Sequence, residues 1–320
     1  MKPNVLLLED SMTALPIFPL ISEDFTVHVL PETGERGSVL ARAGASIRAV
    51  ITTTYRGADA ALIAALPALE IICNAGGHLD RLDLAAARAR GLAVTYTPGV
   101  SAADVADLAV ALVLAVARRI CEADRFVRAG LWRQGMMAFG SRVNGKRLGI
   151  VGLGRIGRIV ARRALGFGMS VVYHGPHRKD DVPYRYATSL DGLAGEVDFL
   201  VVACSAGAAT RRIIGAPVIR ALGPQGILVN FVRGAVDDAA LIAALRAGAI
   251  GGAGLDTLET QPDVPPELAA MENVVLSPLI GSWTRETKRA LSERTAANLR
   301  AYFARRPLLD TVIERSNKSS

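Results

Sequence analysis

Short apolar runs alternate with Ala/Leu-rich stretches along the first hundred residues. Val5–Leu8, Val27–Leu30, Ala49–Thr53, Leu69–Cys73 and Leu92–Thr95 are continuous rather than every-other-residue apolar, which predicts strands buried on both faces. Between them, Asp59–Leu66 and Leu82–Arg90 have helical composition. Strand and helix in alternation predict a mostly parallel sheet covered by helices. Pro98–Gly99 interrupts the series, and Ala102–Ile120 follows with apolar residues almost all the way round, which predicts one buried helix. A second alternation runs through Arg147–Val151, Ser170–His174, Phe199–Cys204, Ile227–Asn230, Gly251–Asp256 and Val274–Ser277. The long amphipathic stretch Thr284–Phe303 then predicts a helix that returns to the first unit, and Asn317–Ser320 reads as a frayed tail. The expected organisation is two α/β units with parallel sheets, the second (100–283) inserted into the first (1–99 and 284–320).

Composition narrows the class. A chain of 320 residues with 51% hydrophobic and 21% charged residues can bury large cores and is not disordered. Its longest apolar stretch, Leu108–Ala117, is too short to span a bilayer, and the N-terminus turns acidic after a brief apolar run. No membrane partner and a cytoplasmic location are the expectations. Three cysteines without a CxxC spacing exclude a disulfide scaffold and a structural zinc site. Cys73, Cys121 and Cys204 sit in apolar contexts and are expected in the core. The net charge of +7 comes from scattered basic pairs, and only 5% of residues are aromatic. That pattern argues against nucleic acid and suits a small anionic ligand.

The most informative local motif is Gly152-Leu153-Gly154-Arg155-Ile156-Gly157, set between the strand ending at Val151 and a helix expected over Ile159–Gly166. In that setting Gly152 permits a tight turn, Gly154 lets the backbone approach a pyrophosphate, and Gly157 lets the helix pack closely on the strand. The helix N-terminus offers unpaired N–H groups and partial positive charge to the phosphates. The next strand ends at His174, where an acidic residue would hold the ribose of NAD. The residues that follow include His177, Arg178 and Lys179, with no carboxylate before Asp180. A basic tip suits a 2′-phosphate, so NADP is favoured over NAD.

Taken in order, Thr97-Pro98-Gly99-Val100, Gly130-Leu131-Trp132, Gly145–Val151, the glycine loop, Asn230–Gly234, Gly254-Leu255-Asp256 and Ser277–Ser282 resemble the D-isomer-specific 2-hydroxyacid dehydrogenases, in their glyoxylate/hydroxypyruvate reductase branch. The resemblance implies two Rossmann-like/flavodoxin-like α/β domains. A substrate domain would comprise 1–99 and 284–320, and an NAD(P)-binding Rossmann domain 100–283, with the active site in the cleft. It also implies a homodimer built around the inserted domain, with Ala102–Ile120 and Trp132–Phe139 as interface pieces. Beyond the loop residues Gly152, Gly154, Arg155, Ile156 and Gly157, the implied cofactor positions are His174, His177, Arg178, Lys179, Cys204, Thr210, Phe231 and Asp256.

Three side chains carry the chemistry in such enzymes: an arginine that holds the substrate carboxylate, a histidine that passes a proton, and a glutamate that orients the histidine. Here the arginine is kept as Arg233, whose fork fits a carboxylate. The glutamate position holds Gln261 and the histidine position Leu279. The two losses are physically coherent, because a glutamate without its histidine would be an unpaired charge. Trp283 in place of an alanine and the bulky Phe231-Val232 pair imply a reshaped site. Gly77 and His78 fall where relatives bind the carboxylate through backbone N–H groups, and His78 and Tyr55 are the candidates for a substitute proton donor.

Two functions remain open from the sequence. One is an NADP-preferring oxidoreductase acting on a small 2-oxo or 2-hydroxy acid, or a relative of one, with an atypical or missing proton relay. The other is a cofactor-binding sensor or dimeric scaffold without turnover. Retention of Arg233, which a scaffold does not need, favours the enzyme.

Overall fold

The computed structural model describes residues 2–9 and 15–313, and the tail expected at Asn317–Ser320 lies outside them. The chain divides into two compact units, Met1–Ser101 with Trp283–Ser320, and Ala102–Ser282. In the first unit, β1 (Asn4–Leu8), β2 (Thr26–Leu30), β3 (Ile47–Thr53), β4 (Ile71–Ala75) and β5 (Ala93–Thr95) run parallel, with Val5 beside Val27 and Ala49, and Ile51 beside Cys73. Successive side chains leave opposite faces of a strand. Leu6, Leu8, Val50, Ile72 and Val94 therefore enter one core layer, and Val5, Ala49, Ile51, Ile71, Cys73 and Ala93 the other. Apart from the edge strand β2, where Thr26 and Val29 are exposed, these strands are covered on both faces, which is why their runs are continuous in the sequence.

The second unit holds β6 (Arg147–Val151), β7 (Ser170–His174), β8 (Arg185–Tyr186), β9 (Phe199–Val202), β10 (Ile227–Asn230), β11 (Gly252–Leu255) and β12 (Val274–Leu276). They form one parallel sheet in the order β12-β11-β10-β9-β6-β7-β8. Helices Ala102–Ala117 and Arg155–Gly166 cover the face that carries Ile150, Val201 and Val229. Helices Leu190–Gly195, Ala216–Leu222 and Asp238–Arg246 cover the face that carries Val151, Val202 and Leu228. Strand order reverses between β6 and β9, and in doubly wound sheets ligands bind outside the C-terminal strand ends at such a switch.

The chain then returns to the first sheet. Helix Arg285–Phe303, whose N-cap Thr284 accepts from the Thr287 N–H at 3.0 Å, packs against β4 and places Ala296 and Leu299 in the core layer of Ile51 and Ile71. Strand β13 (Thr311–Ile313) closes that sheet antiparallel beside β5, an exception to the parallel pattern that three residues could not announce. The expected class, two α/β units with parallel sheets, is what the structure has. Among the described residues no helix is long and apolar enough to cross a membrane.

Several expected boundaries need correction. The helix expected over Ala102–Ile120 ends at Ala117. Arg119 turns left-handed (φ 54°) and caps a second helix, Ile120–Arg128, with its guanidinium on Glu122 at 2.6 and 2.7 Å. The apolar run concealed this break, and only one face of the first helix (Ala106, Ala109, Leu112, Val113, Val116) is buried. The helix expected from Ile159 begins at Arg155, because the basic residues of its first turn mask the apolar spacing. Strand ends move by one or two residues; Leu69, expected in β4, instead belongs to the turn before it, its N–H bonded to Leu66 O. Cys73 is fully buried, but Cys121, in the first turn of helix Ile120–Arg128, and Cys204, just past β9 and packed against the core, are only half-buried.

Candidate functional site

At the end of β6 the glycine loop is built by steric necessity at two positions and left open at the third. Gly152 has φ +94°, and a Cβ there would lie 2.5 Å from Cys204 Cα. A Cβ on Gly157 would lie 2.2 Å from Gly152 O, so neither position admits a side chain. Gly154, the N-cap of helix Arg155–Gly166, meets nothing within 4 Å, so its open side is free for a group from outside the chain. The first turn of that helix carries no acid, leaving the dipole and the orphan N–H groups uncompensated. Gly152 N–H donates to His174 O at 2.8 Å, tying the loop to the tip of β7. The loop therefore fits a dinucleotide pyrophosphate.

Three neighbouring strand ends carry the positions expected to do chemistry. After β10, buried Asn230 accepts the Val232 N–H through Oδ1 at 3.0 Å and donates through Nδ2 to Thr257 Oγ1 at 3.2 Å. Asn230 thereby shapes the turn that carries exposed Arg233 and links β10 to the end of β11. After β11, buried Asp256 accepts Ser277 Oγ–H at 2.6 Å and Ile280 N–H at 2.8 Å on Oδ1, and Gly281 N–H at 3.0 Å on Oδ2. Burial pushes its carboxyl above the usual range while these donors pull it back. Asp256 thus fastens the loop after β12, in which Leu279 takes a left-handed conformation (φ 59°). Bulky non-glycine residues rarely adopt it, whereas histidine, like Asn and Asp, is enriched there. Gln261 is half-buried, and its Oε1 accepts the Leu258 N–H at 3.3 Å.

The flank of this platform is held by ions. Glu259 is not aimed as a substitute for Gln261. It takes a bidentate bond from Arg212 at 2.8 and 2.9 Å, which holds its carboxyl below the usual range. Its N–H donates to buried Asp238 at 2.7 Å. Thr210 donates its hydroxyl to Ser205 O at 2.7 Å in the turn after β9, and burial pushes the Cys204 thiol up. Phe231 is half-buried beside both core layers.

At the tip of β7, His174 engages Ala187 O through Nδ1 at 2.9 Å and its ring stacks on Tyr186. His177, Arg178 and Lys179 are exposed, the last with its N–H on Tyr173 Oη at 2.6 Å. The nearby carboxylates face arginines: Asp181 bonds Arg158 at 2.9 Å and Asp180 lies 3.9 Å from Arg178.

Tyr55, Gly77 and His78 belong to the other unit, at the C-terminal ends of β3 and β4. Buried Asn74 donates to Gly76 O and His78 O at 3.2 and 3.0 Å, and Thr54 Oγ1 donates to His78 O at 3.2 Å. Arg81 holds Tyr55 O at 2.8 Å. The His78 side chain is exposed, and a Cβ on Gly77 would meet nothing within 4 Å. The structure adds Asn230, Thr257, Ser277, Asp238 and Asn74 to the residues that shape the two loop sets. Apart from Asp238, which opens the helix Asp238–Arg246, their sequence signal is a small polar residue at or just past the end of an apolar strand.

A doubly wound sheet with a glycine loop at its switch point defines a dinucleotide-binding unit. Residues 110–281 match the family described as D-isomer specific 2-hydroxyacid dehydrogenase, NAD binding domain. The hydroxyphenylpyruvate reductase of Plectranthus scutellarioides is 47% identical over 275 residues, which span 86% of this chain and 88% of that protein. A 2-hydroxyacid dehydrogenase from Ketogulonicigenium vulgare Y25 superposes with a TM-score of 0.92 at 43% identity, covering 98% of this chain and 99% of that one. An NADPH-dependent glyoxylate/hydroxypyruvate reductase from Sinorhizobium meliloti, solved with NADP and malonate, superposes with a TM-score of 0.89 at 34% identity over 100% of both chains. The chain belongs to the D-isomer-specific 2-hydroxyacid dehydrogenase family, whose members are NAD(P)-dependent oxidoreductases. Its similarity to reductases along most of its length does not favour the scaffold reading.

Proposed function

We propose that this protein reduces a small anionic substrate, a 2-oxo acid or a relative of one, with NADPH in preference to NADH, through a site that keeps the substrate clamp and lacks the usual proton relay. The observation that carries this reading is the platform after β10, β11 and β12, where Arg233 is present while the relay positions hold Gln261 and Leu279. When bound, the reduced nicotinamide supplies a hydride. The backbone of Gly152, Gly154, Arg155, Ile156 and Gly157 would hold its pyrophosphate. His174, Cys204, Thr210, Phe231 and Asp256 line the rest of the strand ends, and Asp256 Oδ2, which accepts one bond, has capacity for an amide donor. Gly154→Ala is expected to leave the melting temperature unchanged, because its Cβ meets no protein atom. It is also expected to weaken NADPH binding at least tenfold in a fluorescence titration. Gly157→Ala is expected to destabilise the fold instead.

The preference for NADPH is supported by exposed His177, Arg178 and Lys179, and by the engagement of Asp181 with Arg158. Removing one charge-assisted hydrogen bond to a phosphate costs about tenfold in affinity. Replacing Arg178 and Lys179 by alanine is therefore expected to raise the Kd for NADPH about 10–100-fold, with little change for NADH. Comparable losses for both cofactors would refute the preference.

Within its own unit, Arg233 is the residue proposed to hold the substrate carboxylate; in the other unit, Gly77 and His78 keep the backbone N–H role that the family resemblance implies. Tyr55 and His78 are the candidate substitute donors; if either fills that role, Tyr55→Phe or His78→Asn lowers the rate by roughly 10²-fold or more. A homodimer is supported by Trp132, Met136 and Phe139, which are 63, 81 and 100% exposed in the single chain and are large apolar residues. Light scattering is expected to give twice the chain mass. Three free thiols suit a reducing compartment, consistent with the cytoplasm. The overall reading is tested by NADPH oxidation with glyoxylate and hydroxypyruvate at high protein concentration. No cofactor binding and no turnover would defeat it.

A further inference from the structure

We propose that the substrate this site is built for is a 2-imino acid bearing a protonated C=N bond, a cyclic one above all, rather than a 2-oxo acid. The inference rests on the proposed function above and names the substrate class of that same site.

Reduction of a 2-oxo acid needs a hydride at carbon and a proton at oxygen, because the alkoxide that would otherwise form is a poor product. Among the described residues of the loops after β11 and β12, the relay positions offer no proton. Leu279 has none to give. The Ser277 hydroxyl is committed to Asp256 at 2.6 Å, Asp256 accepts three donors, and Glu259 is locked on Arg212. Gln261 accepts a backbone N–H. Leu279 nonetheless stands at φ 59°, fastened on both sides by bonds to Asp256, so the loop keeps its form although the side chain has lost its chemistry.

An iminium carboxylate needs nothing the site lacks. Its nitrogen already carries a proton. Hydride from the reduced nicotinamide forms the new C–H bond, and the C=N π pair collapses onto nitrogen, neutralising it. The products are a 2-amino acid and the oxidised nicotinamide, with charge and electrons balanced and no further proton transferred. Arg233 still matches the carboxylate. The substitutions leave the net charge unchanged but act locally: in a histidine–glutamate pair the imidazolium is the member next to the reacting carbon, which opposes a cationic substrate there. Leu279 and Gln261 are neutral, so that repulsion is gone while the buried carboxyl of Asp256 remains on the same platform. One pair of replacements therefore disfavours 2-oxo acids and admits iminium ions.

The test uses the full chain and 1-pyrroline-2-carboxylate as the probe, with NADPH oxidation and formation of the cyclic amino acid as readouts. Glyoxylate and hydroxypyruvate serve as comparators. The native protein is expected to reduce the imino acid with a kcat/KM about 100-fold or more above either 2-oxo acid, the value of the general acid those substrates lack. The rate should fall as pH rises and the imine loses its own proton. The Gln261→Glu, Leu279→His double variant should reverse the order. In calorimetry without turnover, the NADP-loaded native protein should bind proline more tightly than glycolate, and the double variant the opposite. Reduction of 2-oxo acids by the double variant, with no imino acid reduction by the native protein, overturns this inference and leaves the proposed function standing. A native protein that prefers 2-oxo acids and loses that activity in His78→Asn overturns it in favour of a substitute acid. If neither protein oxidises NADPH with any of these substrates, both readings fall.

Discussion

The Gln261→Glu, Leu279→His double variant is expected to reduce glyoxylate with NADPH roughly 10²–10⁴ times faster than the native protein, the span a positioned general acid contributes. The backbone is already prepared for it. Position 279 sits at φ 59° and is fastened to Asp256, a conformation histidine adopts more readily than leucine. Glutamate is nearly isosteric with glutamine at 261, where the Leu258 N–H bond is kept. The single changes should fall far short of the pair. A histidine alone lacks the partner that orients it and raises its pKa, and a glutamate alone is a half-buried carboxylate without a cation. The four proteins of this cycle, compared by kcat/KM at pH 7 and by melting temperature, should therefore be strongly non-additive in rate. An additive or absent gain would mean that positions 261 and 279 do not face the reacting atoms.

Arg233→Lys is expected to lower kcat/KM by about 10²–10³ on whichever substrate the native protein turns over, the cost of removing one strong donor from a reacting centre. Lysine keeps the charge and loses the planar fork, so it is not a conservative change at a carboxylate clamp. Binding of NADPH should stay within a few fold, and the melting temperature should hold. The turn is shaped by the Asn230 carboxamide and by Gly234 at φ +70°, whereas the Arg233 side chain is exposed. Parallel loss of NADPH binding would show that Arg233 serves the cofactor rather than the substrate.

Both units were legible in the sequence because strands buried on two faces cannot hide their apolar runs, as in Ile227–Asn230 and Phe199–Val202. Boundaries failed where local composition and geometry diverge. The break at Arg118–Arg119 depends on a left-handed residue, and the helix start at Arg155 on a glycine N-cap without a side-chain bond. The glycine loop was readable because sterics alone impose Gly152 and Gly157. That positions 261 and 279 are the altered ones is a proposal that rests on motif order. What holds them was not readable: Asn230 with Thr257 and Asp256 with Ser277 are 27 and 21 residues apart and meet only because β10, β11 and β12 are neighbours.

The most direct test of a retained clamp with an absent relay is the pH profile of kcat/KM for glyoxylate reduction, measured side by side on the native protein and the double variant between about pH 5 and 9. A histidine donor must be protonated to act, so the rate falls as pH rises through its pKa, which lies at or above about 6.5 when a carboxylate is its partner. The double variant is expected to show that falling limb, and the native protein a low rate without it. A native protein with the same limb at a comparable rate would contradict the account, since a proton donor would then be at work that Leu279 and Gln261 do not supply.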